Sequence, residues 1–176
     1  QLAYMYNNGL GVVQDYKEGV KWLLLSAEQG KARTQYDLGL MYAHGNGVIQ
    51  DYEEAEKWFR LAAEQGHVSA QWCLGLVYEG GHGLAQNYKE AAKWYQLAAE
   101  QGHADAQNNF GVMYAKSYGI AKDLVRAHMW YNLSGSKGNE KGSKNRDLLT
   151  KEMTPSQISE AQDMAKECLK KNYKNC

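Results

Sequence analysis

The sequence predicts an all-α fold built as a repeat array, an α-solenoid of helix pairs, and three observations carry that prediction. First, the stretch Asp51 to Gly66 returns 36 residues later as Asn87 to Gly102, stands 36 residues earlier as Asp15 to Gly30, and recurs in a worn copy at Asp123 to Gly138. A fixed period of this length is the signature of a repeat architecture. Second, the apolar residues inside each copy keep helical spacing: Ala55, Trp58, Leu61 and Ala62 form one stripe. Third, the glycines fall at fixed offsets, with Gly30, Gly66, Gly102 and Gly138 placed where a left-handed residue ends a helix.

Each copy begins as a helix should. Asp15, Asp51, Asn87 and Asp123 are N-caps whose side chains accept from the orphan amides of the first turn. Glu18, Glu54 and Glu90 stand three residues on, where they could reach back to complete a capping box. Arg126 takes that place in the fourth copy, which predicts a weaker start there. The preceding half of each unit is a second helix, expected at about 69–78, with the copy that follows the loop running from about 88 to 101. Its inward face is Ala70, Leu74, Val77 and Tyr78, matched by Leu38, Met41 and Tyr42 and by Ala106, Phe110, Met113 and Tyr114. Gly39, Gly75 and Gly111 sit in mid-helix, where Gly costs about 1 kcal/mol against Ala. The repetition of that cost predicts close packing there, with the Ala pair of the second helix approaching. Trp22, Trp58, Trp94 and Trp130 share one repeat position and read as core, since each could bury ~150–250 Å².

The units run 1–32 (truncated), 33–68, 69–104 and 105–140. In the fourth, Ser117 replaces the first loop glycine and Leu124 the Tyr after the cap. Residues 141–176 are a degenerate first-type helix followed by a terminal helix. The latter opens with Thr154, Pro155 and Gln157 as N-cap, first-turn proline and capping-box partner. Its stripe of Ile158, Ala161, Ala165 and Cys168 caps the end of the array, as open repeat stacks require. Gln1 aligns with Asp37, inside a helix, so the chain reads as a piece of a longer protein, expected as a monomer.

With 20 basic and 20 acidic residues the chain has no net field to favour nucleic acid or an anionic membrane. It has no apolar run of the ~18 residues a membrane helix needs. Residues 137–176 carry nine Lys/Arg and six Asp/Glu, a solvated basic face.

The pattern Ala70-Gln71, Leu74-Gly75, Tyr78, Gly81-x-Gly83, Tyr88, Glu90-Ala91, Trp94 and Ala98-Ala-Glu-x-Gly102 resembles the Sel-1-like repeat family, relatives of the tetratricopeptide repeats. The resemblance covers about residues 1–140. The tail around Asn145-Arg-Asp and Met153-Thr-Pro-Ser-Gln resembles the end of many bacterial members. It implies a right-handed superhelix of antiparallel helix pairs, a bacterial source, and an adaptor that holds a protein or peptide partner.

No catalytic motif stands above the repeats. His44, His67, His82, His103 and His128 offer no i, i+4 pair with an acidic neighbour, so no zinc site is expected. Gly81-His-Gly83 follows no strand and is too short to cradle phosphate. No serine has a G-x-S-x-G context. The expectation is a protein that is no enzyme and has no cofactor. Two alternatives stand beside it: a lactam-binding hydrolase like the cysteine-rich relatives, whose cysteines pair eight apart in each repeat where this chain has Ala63 and Ala99, and a spacer within a longer solenoid.

Partner binding is expected on the variable face of the first helices: Tyr36 and Leu40, then Trp72, Leu76 and Glu79, then Asn108 and Val112. Exposed aromatics in a groove are the usual anchors of recognition. The competing reading is that Trp72 packs on the next first-type helix. Cys73 is expected to stay free. Cys168 and Cys176 have the eight-residue spacing, but a continuous helix would hold them ~12 Å apart, beyond the ~7 Å reach of a disulfide. A bridge requires the helix to stop near Lys171 and the chain to fold back through Asn172-Tyr-Lys-Asn175. A bridge would imply an oxidising compartment such as the periplasm, which the expectation slightly favours together with secretion; free thiols would leave the compartment unknown.

Overall fold

The computed structural model describes residues 2–81, 85–174 and 176. Among them are ten helices and no strand: α1 (Leu2–Asn8), α2 (Tyr16–Ala27), α3 (Ala32–His44), α4 (Tyr52–Glu64), α5 (Val68–Gly80), α6 (Tyr88–Ala99), α7 (Ala104–Lys116), α8 (Leu124–Ser136), α9 (Glu140–Thr150) and α10 (Pro155–Lys170). Odd-numbered helices through α9 are the first-type helix of each repeat, here called A; α2, α4, α6 and α8 are the second type, B. The helices form two compact units, Gln1–Gln86 and Asn87–Cys176. The loop motif Gly81-His-Gly83 falls partly on residues outside those described.

The caps hold, with one change. Asp15 and Asp51 each accept from two first-turn amides, and Asn87 and Asp123 from one. The capping-box glutamates do not reach back. Glu18, Glu54 and Glu90 instead pair forward with Lys21, Lys57 and Lys93, one turn on. With the Asp or Asn already satisfying the free amides, an i,i+3 ion pair is the better use of the carboxylate. In the fourth copy Arg126 lies 3.4 Å from its own cap, Asp123, and donates to the Tyr114 hydroxyl at 3.3 Å. Ser117 takes the left-handed conformation of the glycine it replaces, with φ 59°, and its Oγ donates to the Ile120 carbonyl. Gly30, Gly66, Gly102 and Gly138 all have φ between 81° and 85° in the B-to-A turns.

In unit 1 the core joins Val20, Leu23 and Ala27 of α2 to Leu38 and Met41 of α3. Further along, Ala55, Phe59, Ala62 and Ala63 of α4 and Leu74 and Val77 of α5 are buried. In unit 2, Ala127 and Tyr131 of α8 pack with Leu149 of α9, Met153 and Ala161 of α10. The terminal helix therefore covers α8, and its N-terminus carries the expected full capping box of Thr154 and Gln157. Leu148, by contrast, is exposed.

The mid-helix glycines are crowded, but not by the Ala pair. A Cβ at Gly39 would lie 2.6 Å from the Phe59 ring, and one at Gly111 2.7 Å from the Tyr131 ring. At these two places the residue after the repeat tryptophan, Phe59 or Tyr131, is thus what presses its ring onto the A helix. The tryptophans themselves are not uniformly core. Trp130 and Trp94 are buried at 1% and 5% exposure, Trp58 is half-buried, and Trp22 is 40% exposed. Trp58 packs against the cluster that Val20, Leu23 and Ala27 form with Leu38 and Met41. Trp22 lines an open cleft with Leu2 and Ala3.

Two glutamine devices also recur at the repeat period. Gln35, Gln71 and Gln107 are buried, and each Nε2 donates at 3.1 Å to the carbonyl of Ala27, Ala63 or Ala99 at the end of the preceding B helix. The same carbonyls accept from the turn amides of Gly30, Gly66 and Gly102 at 2.9 Å, so the glutamine adds a second bond that ties the next A helix to the helix end. Gln14, Gln50 and Gln86 instead tie the A–B loop, donating to the carbonyls of Asn7, Ala43 and Glu79 at 2.7–2.8 Å.

At the C-terminus the helix ends at Lys170. Asn172 and Tyr173 adopt left-handed conformations, and the Tyr173 amide returns to the Cys168 carbonyl. The reversal brings the Cα atoms of Cys168 and Cys176 to 5.3 Å, and the sulfurs are bonded. Tyr173 is laid under the Lys137 ammonium, 4.5 Å from its ring centre. Cys73 is free and buried.

Candidate functional site

Within each unit a cleft of one design opens between neighbouring A helices, at three places in all among the described residues. It lies between α1 and α3, between α3 and α5, and between α7 and α9, with volumes of about 470, 520 and 480 Å³. These volumes fall within the ~300–1,000 Å³ of ligand-sized clefts. The lining positions are equivalent by the repeat. The floor is one B-helix side chain, Leu23, Phe59 or Tyr131. One wall is the A-helix pair Leu40–Met41, Leu76–Val77 or Leu148–Leu149, and the other is Asn7–Asn8, Ala43–His44 or Ala115–Lys116. The period that places the helices therefore also places the clefts.

The cleft between α3 and α5 is the most apolar in its residues, with Leu40, Ala43, Phe59, Cys73, Leu76 and Val77, and a rim that includes His44, Tyr52 and Glu79. Three of the expected partner-binding residues, Leu40, Leu76 and Glu79, meet here. Leu76 is 37% exposed although apolar. Gln50 holds the rim by donating to the Ala43 carbonyl and to the Tyr52 hydroxyl at 3.1 Å.

The other four expected residues are placed differently. Tyr36 is half-buried, stacked on the His67 ring at 4.7 Å, and it lies close enough to Cys73 of α5 for each to perturb the other's titration. Asn108 is buried and accepts from the Asn145 amide of α9 at 2.8 Å. Each therefore faces the residue 37 further along on the next A helix, and this position is not part of an open face. Val112 packs against the α8–α9–α10 core. Trp72 is half-buried and does not line the cleft. Sequence reasoning missed Phe59, Tyr52 and Gln50 because it examined only A helices. Gln14, Gln50 and Gln86, spaced by 36, were the signal that could have marked the rim.

Burial pushes the Cys73 thiol up to about 12, so it stays protonated and unreactive at neutral pH. Burial, and then Cys73, also raises the Tyr36 hydroxyl. Among the described residues no group of three His, Cys, Asp or Glu could hold a metal ion, and no helix is long and apolar enough to cross a membrane.

The histidines at the repeat boundary are structural. His67 and His103 are N-caps of α5 and α7, their Nδ1 atoms accepting from Ala70 and Ala106 at 3.2 and 3.3 Å. His128 is buried, its Nε2 3.0 Å from Thr150 Oγ1. Since Thr150 Oγ1 donates to the Arg146 carbonyl, His128 must be the donor to it. Burial lowers all three imidazoles below 6.5. Their stabilisation is complete above that value and is lost as the pH falls through the lower folded-state values. Chemical denaturation should therefore show the fold losing stability on acidification below about pH 6.5. In His67→Asn with His103→Asn, where the cap no longer titrates, the loss should be smaller. An unchanged pH slope would mean that these caps do not contribute.

The chain belongs to the Sel1 repeat family: the Sel1 repeat model matches residues 1–31, 32–67, 68–103 and 104–139. Among solved structures it is similar to a protective antigen present in uropathogenic Escherichia coli strains displaying an SLR fold, with 31% identity and a TM-score of 0.87 over 98% of this chain and 38% of that one. It is similar also to a Sel1 repeat protein from Oxalobacter formigenes, at 40% identity and a TM-score of 0.75, covering 80% of this chain and 56% of that one. Helicobacter pylori cysteine rich protein B shares the fold alone, at 18% identity and a TM-score of 0.59 over 74% of this chain and 94% of that one. The chain spans well under two thirds of the first two proteins. A comparison with curated proteins gives no match. The fold is thus an α-solenoid of Sel1 repeats, a class that typically mediates protein–protein interaction.

Proposed function

We propose that this chain is a non-catalytic scaffold that holds a protein partner by seating the side chains of a peptide or helix in the clefts between successive A helices. The observation that carries the reading is the recurrence of one cleft at equivalent positions with different linings. The α1–α3 cleft presents Tyr4, Asn7, Asn8, Arg33 and Asp37, whereas the α3–α5 cleft is apolar. A common frame with varied pockets is how a repeat protein reads successive residues of a ligand. The α3–α5 cleft suits an apolar anchor, with Leu40 and Leu76 as its walls.

The test is a random dodecapeptide library panned on the parent protein. Recovered peptides should bind Leu76→Asp about tenfold or more weakly, since a buried carboxylate would face the anchor. Leu76 is partly exposed, so the helical circular dichroism should be retained. Unaltered affinity in both Leu76→Asp and Leu40→Asp would place binding outside this cleft.

A further inference from the structure

The cleft between α7 and α9 keeps the frame of its counterparts but changes its rim. Where the α3–α5 cleft has His44 and Gln50, this one has Lys116 and Lys122. The exchange removes a structural bond. Gln50, like Gln14 and Gln86, ties its loop to the end of the preceding A helix, and His44 Nδ1 lies 2.8 Å from the Leu40 carbonyl. Lys116 and Lys122 form no ion pair among the described residues, and both are exposed. Beside them lies an apolar lining of Leu124, Tyr131, Leu148 and Leu149, with Leu148 51% exposed. One carboxylate, Glu152, also lines the cleft, at the position of Gly80. The surrounding unit adds to the field: Asn87–Cys176 holds 14 Lys/Arg against 10 Asp/Glu, net +4, while Gln1–Gln86 holds 6 against 10, net −4.

We propose that the α7–α9 cleft binds an acidic peptide segment of a partner protein, in which an apolar side chain covers Leu124 and Leu148 and a neighbouring carboxylate lies between Lys116 and Lys122. This assignment rests on the reading of the chain as a peptide-holding scaffold and adds the charge of the ligand to it. The apolar lining supplies the area. The two lysines, released from holding the loop, supply the sign. An exposed lysine pair acts through a field that salt screens within about 8–10 Å, so binding should weaken with ionic strength.

The probe is a fluorescein-labelled dodecapeptide alternating Glu-Glu with Leu-Phe, titrated by anisotropy at low salt against the whole chain. It should bind at least about tenfold more tightly than the same peptide with glutamine for glutamate, and Lys116→Glu with Lys122→Glu should remove that preference. Lys141→Glu with Lys144→Glu makes the same net charge change on exposed α9 residues outside the cleft. It should cost less than about threefold, which separates a local site from the general field. Equal binding of polyglutamate or of single-stranded DNA would overturn the proposal by showing a charge-only surface. So would an affinity that the Lys116 and Lys122 reversals leave unchanged. If the acidic peptides fail while peptides dependent on Leu76 still bind, only this assignment falls. If neither class binds, the scaffold reading falls with it.

Discussion

Trp130→Ala should lower the unfolding free energy by ~3–5 kcal/mol, the cost of emptying a buried indole site. Trp130 is 1% exposed, and its ring meets Phe110 at 5.3 Å in a tilted pair. Trp94→Ala should cost somewhat less. Its Nε1 is buried with no acceptor among the described residues, so truncation also relieves an unpaired donor worth ~1–3 kcal/mol. Trp58→Ala should fall lower again, and Trp22→Ala should cost under about 1 kcal/mol, because 40% of that residue is already in water. Equilibrium denaturation of the four variants decides the matter. A uniform cost across the series would mean that the repeat position, and not its local cover, sets the energy.

Gly111→Val should be the other large loss, about 3 kcal/mol or more. A Cβ at this position lies 2.7 Å from two atoms of the Tyr131 ring and 3.2 Å from the Ala127 carbonyl. Tyr131 is 5% exposed and packs in the α8–α9–α10 core, so displacing its ring would break those contacts. Overpacking of this kind costs ~1–3 kcal/mol, and the branched side chain adds contacts beyond the first carbon. The gain of ~0.5–1 kcal/mol from removing a helical glycine does not offset it. The pairing is checked by Gly111→Val with Tyr131→Leu. That double variant should recover part of the loss if the ring is the obstacle. Strict additivity of the two changes would mean that they do not meet.

Tyr131 and Phe59 also show where sequence reasoning stops. The period of 36 made the glycine position conspicuous, and the cost of glycine in a helix said that something must approach it. Which group approaches depends on the rotation of one helix about its axis, and the Ala pair was an equally good candidate from composition. The capping glutamates failed for a similar reason: Glu54 can reach back to its cap or forward to Lys57, and local geometry chooses.

What the sequence by itself determined is everything that repeats. The helices, their caps, the turn glycines, the inward faces and the Sel1 repeat family follow from residues that recur every 36 positions, because each repeat solves the same local packing problem. The tail was not legible in the same way: the eight-residue spacing of Cys168 and Cys176 is beyond a disulfide's reach on a continuous helix, and only the left-handed turn at Asn172 and Tyr173 brings the two together. Only the tertiary structure decided what depends on neighbours. Tyr36 and Asn108 have helical spacing that suits an open face, yet a residue 37 further on covers each of them. Trp22 and Trp130 share one motif position and differ in exposure because one lines an open cleft and the other packs inside a filled core. Burial is a property of what lies across the interface, and a one-dimensional pattern contains only one side of it.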